Sequence, residues 1–168
     1  MPTQRIGGNS LIEILITLAI IAILCNLCGS AFGSLIARNN RNLTMQVALT
    51  TLDRARTLAV MEAKPVGVCL LDSQSRCDAN WNGIDLGIFI DANKNHVRDT
   101  DEPVRFRQPW PASDITLSWE INFRDEPTIT YQENGSVRSN GTLRFTDKNS
   151  RVIQTIVISK SGRARIQY

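Results

Sequence analysis

The sequence predicts an α+β fold, in which one long N-terminal helix is followed by a small antiparallel β-rich domain. Two observations predict it. Apolar residues continue at helical spacing to Ala63, and no glycine or proline occurs from Leu35 to Lys64. After Pro65 the sequence changes to short β-prone runs separated by turn residues. A helix followed by a series of strands is the pattern of an α+β architecture, and 168 residues leave room for one such domain.

The helix begins in an apolar segment that is long enough to cross a bilayer. Leu11–Ala37 is nearly all apolar or small, and a hydrocarbon core of about 30 Å needs about 20 helical residues. Two other interpretations compete with a membrane anchor. Ile14–Leu24 resembles the apolar core of a secretory signal peptide. Cys28 is a candidate lipidation site, although Leu27 is not the small residue expected before one.

Glu13 decides between these interpretations. A carboxylate at the start of an apolar run costs about 1–3 kcal/mol unless it is paired, and a signal peptide gains nothing from it. A subunit that assembles into a larger structure could pair Glu13 with the N-terminal amine of a neighbour. We therefore favour an anchored, assembling subunit.

The residues around Glu13 resemble a known processing site. Gly8 to Glu13 reads G-N-S-L-I-E, which is similar to the prepilin peptidase site of type IV pilins, usually G-F-T-L-I-E. The resemblance implies cleavage after Gly8 by prepilin peptidase and a mature chain that begins at Asn9, where the family normally has an N-methylated phenylalanine. Glu13 is then the fifth mature residue, at which the family has its assembly glutamate.

This resemblance also implies a pilin-like fold, in which half of the helix is transmembrane and the other half packs on an antiparallel β-sheet head. The expected segments are 1–8 as the leader peptide, 9–37 as the transmembrane half of the helix, 38–64 as its amphipathic half and 65–168 as the β-rich head outside the cytoplasm.

Helical spacing continues beyond the apolar segment. The apolar positions that recur every three or four residues are Met45, Ala48, Leu49, Leu52, Ala55, Ala59 and Val60. Pro65 supplies a stop, so we expect one helix from about Ser10 to Ala63, with its second half packed under a sheet. The alternative is two helices with a hinge near Gly29–Gly33.

Seven runs after Pro65 are candidate strands. They are Val66–Leu71, Leu86–Asp91, Val104–Gln108, Ile115–Trp119, Thr128–Gln132, Thr142–Thr146 and Val152–Ser159. Turn-forming pairs separate the last of them, among them Asn134-Gly135, Asn140-Gly141 and Ser161-Gly162. We expect these runs to form the antiparallel sheet of the head.

The four cysteines form two pairs with different surroundings. Cys25 and Cys28 lie inside the apolar segment, where a redox or zinc role is disfavoured because thiolates are unfavourable in hydrocarbon. Cys69 and Cys77 flank a polar loop of the head. We expect a disulfide between them if the head is exported. The alternative is two unpaired thiols in a cytoplasmic domain.

An acidic loop follows the second candidate strand. Its oxygen-bearing residues have the spacing of positions 1, 3, 5, 9 and 12 of a calcium loop: Asp91, Asn93, Asn95, Asp99 and Glu102. However, His96 occupies the position at which a glycine normally permits the turn, and strands rather than helices flank the loop. A calcium site and a plain polar hairpin loop are both possible interpretations, and we expect no other cofactor.

The segment from Trp81 to Glu102 also resembles the head of the GspH/FimT pseudopilins.

The C-terminal part is the basic pole of the chain. The whole chain carries a formal charge of +3. From Arg138 to Tyr168 there are seven basic residues and one acidic residue, a local net charge of +6. This stretch, with its Asn140-Gly141 turn and the tail Gly162-Arg163-Ala164-Arg165, again resembles the GspH/FimT family. The resemblance therefore extends over nearly the full length of the chain.

Arg163 and Arg165 are the candidate nucleic-acid contacts. In an extended strand they point to the same face, roughly 7 Å apart, which is similar to the rough spacing of phosphates along one strand. Lys160 is a candidate third contact. Phosphate contacts alone give sequence-independent, salt-sensitive binding. The tail resembles that of FimT-type minor pilins, which implies DNA binding during natural transformation. The alternative is a solvated basic face or an inter-subunit contact.

The sequence contains no catalytic set, since its single histidine lies in the acidic loop, so we expect no enzymatic activity. The favoured hypothesis is a type IV minor pilin that binds DNA for uptake. The alternative is a minor pilin or type II secretion pseudopilin that primes or caps fibre assembly without nucleic acid. A membrane-anchored calcium module is a third hypothesis.

Expected partners are other pilins, DNA, the membrane and prepilin peptidase. The expected location is the inner membrane with a periplasmic head, and then the fibre or its tip.

Overall fold

The structure is a computed structural model that describes residues 11–81, 83–110, 115–121, 126–147, 149 and 151–167, with backbone only for residues 25–32, 34 and 37. Within these residues it contains one helix, α1, and eight strands. Their bounds are α1 Leu11–Glu62, β1 Val66–Leu71, β2 Asp85–Ile90, β3 Val104–Pro109, β4 Ile115–Ile121, β5 Ile129–Tyr131, β6 Gly141–Asp147, β7 Val152–Ile158 and β8 Ala164–Gln167. The predicted α+β order is confirmed.

The chain divides by its internal contacts into two units, Met1–Asn39 and Asn40–Tyr168. In the first unit the structure describes the N-terminal part of α1. Its large apolar side chains are exposed, among them Leu11, Ile12, Leu15, Leu18, Ile21, Leu24, Leu35 and Ile36. Within the described residues, no helix combines the length and the apolarity that a bilayer crossing requires. The transmembrane half at residues 9–37 therefore stays a prediction.

The helix is one element and ends close to the predicted position. Its last residue is Glu62, and Ala63 follows with a positive φ of 49°. The N–H of Lys64 donates to the carbonyl of Ala59 at 3.3 Å. A left-handed residue after the last turn, followed by a proline that cannot continue the helix, is a common helix C-terminus. The alternative of two helices with a hinge near Gly29–Gly33 is not what the backbone shows.

The strands form two four-stranded sheets, where the sequence predicts one. The orders are β3-β2-β1-β5 in the first sheet and β4-β6-β7-β8 in the second, and every described pairing is antiparallel. The division arises because β5 returns to pair with β1, whereas β4 pairs with β6. Among the described strands β8 pairs only with β7, so it is an outer strand of the second sheet.

The second part of α1 packs on both sheets through the predicted apolar stripe. Its buried members are Met45, Ala48, Leu52, Ala55 and Ala59, which share one core cluster with residues of six strands. Their three- and four-residue spacing places them on one helix face. Leu49 is half-buried against the same cluster, but Val60 is 53% exposed. The core thus joins α1 to both sheets, and Ala164 and Ile166 of β8 pack against it.

Candidate nucleic-acid interface

The two candidate arginines lie at the start of the outer strand β8. Arg163 precedes this strand and Arg165 lies within it, and both are exposed. Between and after them, Ala164 and Ile166 are half-buried and pack against the core. Because side chains alternate across a strand, the structure places both arginines on the solvent side of β8. Backbone pairing of Arg165 with Val157 of β7 fixes this orientation.

Both guanidinium groups are without an ion-pair partner among the residues that the structure describes. Other arginines of the head are paired with carboxylates: Arg76, Arg105, Arg107, Arg138 and Arg144. The contrast matters because a paired arginine must lose its carboxylate before it can bind a phosphate. Among the described residues, no carboxylate would have to be displaced from Arg163 or Arg165.

Lys160 lies in the turn that precedes the arginines and is exposed. Its Nζ donates to the carbonyl of Arg138, and its own carbonyl accepts from the N–H of Val137 at 3.2 Å. An ammonium group has three donors, so the bond to Arg138 leaves it able to contact an anion. The structure therefore brings all three candidate residues to one end of β8.

The turn itself is held by glycine. Gly162 is buried and has a φ of +79°, a conformation that glycine adopts without strain. Its N–H donates to the carbonyl of Ser159 at 2.8 Å, and the N–H of Ser159 donates to the carbonyl of Arg163 at 3.0 Å. The Ser161-Gly162 turn predicted from the sequence is therefore present, and β8 begins two residues after Gly162.

The cysteines of the head form the predicted disulfide. Cys69 and Cys77 are bonded, with 5.6 Å between their Cα atoms. Cys69 is fully buried beside Leu71 and Phe89. Inside the closed loop, Asp72 Oδ1 accepts from the N–H of Arg76 at 2.8 Å, and this hydrogen bond is the main reason that the pKa of Asp72 lies below its ordinary value. The side chains of Cys25 and Cys28 lie outside the described residues.

The acidic loop is closed by its own amide groups. The carboxylate of Asp91 accepts from the N–H groups of Asn95 and His96, both at 3.0 Å. Glu102 accepts from the N–H groups of Ala92 and Asp99, at 2.7 and 3.1 Å. Burial raises the pKa of the Asp91 carboxyl, since desolvation disfavours its charged form.

The remaining loop oxygens are engaged in a similar way. Asp99 Oδ2 accepts from the side-chain amides of Asn93 and Asn95 at 2.7 and 2.8 Å. Among the described residues, no three His, Cys, Asp or Glu side chains come together as a metal site would require. Calcium binding by Asp91, Asn93, Asn95, Asp99 and Glu102 stays a prediction from spacing alone.

The processing residues Gly8 and Asn9 lie outside the described residues. Glu13 lies in the first turn of α1 and is exposed. The role of Glu13 in assembly and the cleavage after Gly8 both stay predictions.

A long helix that packs on two antiparallel sheets, with a disulfide in the head, defines a pilin-like α+β protein. A family model described as type II transport protein GspH matches residues 44–162. The match covers well over half of the chain, so the chain belongs to the GspH family. It is a structural subunit of the minor pilin or pseudopilin class and not an enzyme.

Two solved structures share this fold. The type IV minor pilin FimU of Pseudomonas aeruginosa is 17% identical with a TM-score of 0.54, and the alignment covers 79% of this chain and 91% of FimU. The minor pseudopilin EpsH of the Vibrio cholerae type II secretion system is 14% identical with a TM-score of 0.55, and the alignment covers 78% of this chain and 97% of EpsH. At these identities the likeness concerns the fold. No curated protein matches the sequence.

Proposed function

We propose that this minor pilin binds DNA non-specifically through Arg163 and Arg165, with Lys160 assisting, and that it serves DNA uptake in natural transformation at a type IV pilus. The proposal is supported by two exposed guanidinium groups, one just before the outer strand β8 and one within it, which have no ion-pair partner among the described residues. No base-reading element is required, since contacts to phosphates hold nucleic acid without reading its sequence.

The geometry of β8 suits a phosphate backbone. Residues two apart on a strand stand roughly 7 Å from each other on the same face. Each guanidinium offers a planar fork of donors that matches phosphate oxygens. As an outer strand, β8 has a neighbour only on the side of β7 among the described strands, so none of these strands covers its other edge.

The proposal also covers the N-terminal unit. Prepilin peptidase cleaves after Gly8, Asn9 becomes the first residue, and Glu13 pairs with the N-terminus of a neighbouring pilin. Residues 9–37 anchor the chain in the inner membrane, with the head in the periplasm before assembly into the fibre or its tip. Two observations support this arrangement: the disulfide suits an oxidising compartment, and the apolar side chains of early α1 are exposed.

A matched pair of variants tests the DNA site. Arg105 and Arg107 also lie two residues apart on an outer strand, β3, but each has a carboxylate partner. We compare R163Q/R165Q with R105Q/R107Q in the full chain in detergent, by gel shift of a short duplex at low salt. Both double variants lose the same charge. We expect binding to weaken strongly only in R163Q/R165Q, which loses two phosphate contacts. Binding by R163Q/R165Q equal to that of the original chain would overturn the proposal.

A second candidate function is a minor pseudopilin that primes or caps fibre assembly without DNA. The description of the matching family, type II transport, favours it. Absence of any DNA shift at low salt would support this candidate. Deleting the gene and scoring transformation, secretion and twitching separately assigns the apparatus, since DNA uptake predicts a loss of transformation and secretion predicts a loss of exported protein.

A further inference from the structure

Two glycine turns of the head lie against each other. In the first, which we call the 132–135 turn, the N–H of Gly135 donates to the carbonyl of Gln132 at 2.8 Å. The second, the 159–162 turn, ends at Gly162 and leads into β8. A Cβ atom on Gly162 would stand 2.0 Å from the carbonyl oxygen of Gly135. The two turns are therefore in direct backbone contact, and only glycine fits at the second one.

Arg56 of α1 reaches the same point from the helix. Its Nε donates to the carbonyl oxygen of Gly135 at 3.0 Å, across 79 residues of sequence. Cβ atoms built on Gly135 and on Gly162 would each lie 3.3 Å from this Nε. The half-buried Arg56 thus binds the first turn through a hydrogen bond and lies beside the second turn.

The position of the 159–162 turn determines where the candidate DNA contacts stand. Ser159 binds the carbonyl of Arg163 through its N–H and its hydroxyl, at 3.0 and 3.2 Å. The carbonyl of Lys160 accepts from Val137, just after the 132–135 turn. A displacement of either turn would therefore move Arg163 and Lys160 together.

We infer that Arg56 is a positioning residue for the DNA site. Its hydrogen bond to the Gly135 carbonyl fixes the 132–135 turn. Because the 159–162 turn packs against the 132–135 turn, Arg163 and Lys160 are held in place before DNA binds. Preorganisation of this kind lowers the ordering cost of binding. The inference rests on the proposed function, because it assigns Arg56 a role only if Arg163 and Lys160 contact DNA.

Arg54 provides the matched control. It lies half a turn away on the same helix, and its guanidinium stacks over the ring of Phe106, 4.0 Å from the centroid. R56M and R54M remove the same charge from neighbouring positions. We measure the Kd of the full chain in detergent for a fluorescent duplex at low salt. We expect R56M to weaken binding about tenfold, the cost of one lost hydrogen bond from a charged group, and R54M to leave it within about twofold.

A double-mutant cycle separates positioning from direct contact. If Arg56 acts through Arg163 and Lys160, adding R56M to an R163Q/K160Q chain weakens binding no further. If Arg56 touches phosphate itself, the losses multiply, and the inference is wrong. If R56M instead destabilises the fold, it lowers the Tm equally in the original chain and in the R163Q/K160Q chain. In that event R56Q decides, because the side-chain amide nitrogen of glutamine takes the place of the arginine Nε and keeps a donor there while the charge is lost. Binding by R56Q close to that of the original chain supports positioning through this hydrogen bond, and binding as weak as that of R56M overturns it.

The outcomes also distinguish this inference from the proposed function. If R163Q/R165Q binds DNA normally, the proposed function fails. If R163Q/R165Q binds DNA weakly while R56M binds as well as R54M, the DNA site stands and Arg56 has no part in it.

Discussion

The backbone of Gly162 lies so close to the carbonyl oxygen of Gly135 that a single added methyl group on Gly162 would stand 2.0 Å from that oxygen. Gly162 is the first residue of the tail that carries Arg163 and Arg165. The glycine of this tail is therefore a packing requirement of the head, in addition to any role in the turn.

This contact predicts that Gly162→Ala destabilises the head and displaces the tail. The substitution adds a steric collision with backbone to a left-handed φ of +79°, and the conformational part alone costs about 1–2 kcal/mol. We expect the free energy of unfolding in urea to fall by at least this amount, and DNA binding to weaken. Gly33→Ala is the control, because a Cβ there meets nothing within 4 Å and alanine favours a helix. Equal stability of G162A and the original chain would show that the turn relaxes freely.

The disulfide predicts a large loss of stability on reduction. Cys69 and Cys77 close a short loop, and closure of a loop of this size restricts the unfolded chain by about 2–3 kcal/mol. We expect C69A/C77A to lower the free energy of unfolding by at least that amount, since Cys69 is also fully buried. Reduction of the original chain with dithiothreitol separates the two contributions, because it breaks the bond without changing the packing volume. A chain whose Tm is the same with and without reductant would contradict the prediction.

The buried carboxyl of Asp91 predicts a pH dependence with a definite sign. Burial raises its pKa above the ordinary value of 3.8. An acid with a higher pKa in the folded chain stabilises the fold below its unfolded pKa, and this contribution is lost as pH rises through the folded pKa. We therefore expect the stability difference between the original chain and D91N to shrink as pH rises above about 4.

Asp72 provides the opposite case. The N–H of Arg76 holds the pKa of Asp72 below 3.8, so its contribution is present above the unfolded pKa and is lost as pH falls through the folded pKa. The stability difference between the original chain and D72N should therefore grow as pH rises through about 4. Urea denaturation of the three chains between about pH 3 and pH 6 measures both slopes. The same sign for D91N and D72N would contradict the assignment.

The acidic loop predicts little response to calcium. Asp91 and Glu102 use their oxygens to accept four N–H groups of the loop itself, and coordination of an ion would compete with these bonds. We expect the Tm of the chain to be the same in calcium and in chelator, with D99N as a further comparison. A rise in Tm with calcium that D99N abolishes would establish the calcium loop that the spacing suggests.

The strands with the strongest local signal are the ones that the sequence predicts best. Val66–Leu71 is a continuous apolar run, is predicted with the bounds of β1, and is buried at every position. Such a run is typical of a strand covered on both faces. The buried stripe of α1 is also predicted from local sequence, because helical spacing alone determines which side chains share a face.

The features that the sequence does not predict depend on distant partners. β8 is short and contains a charged residue, and it becomes a strand through its pairing with β7. The division into two sheets depends on β5 pairing with β1, more than 50 residues earlier. The contact of Arg56 with Gly135 has no local signature, since an arginine on a half-exposed helix face is ordinary in sequence. The tail motif indicates the candidate DNA residues Arg163 and Arg165, whereas the proximity of Arg56 to their turn is evident only in three dimensions.

If Arg163 and Arg165 bind phosphates, the two arginines contribute to the salt dependence of DNA binding. Each phosphate neutralised on duplex DNA contributes about −0.9 to the slope of log K against log salt concentration. We predict that the slope for R163Q/R165Q is shallower than that of the original chain by about 1.8, while R105Q/R107Q retains the original slope. An unchanged slope in R163Q/R165Q would show that these arginines do not contact the DNA backbone.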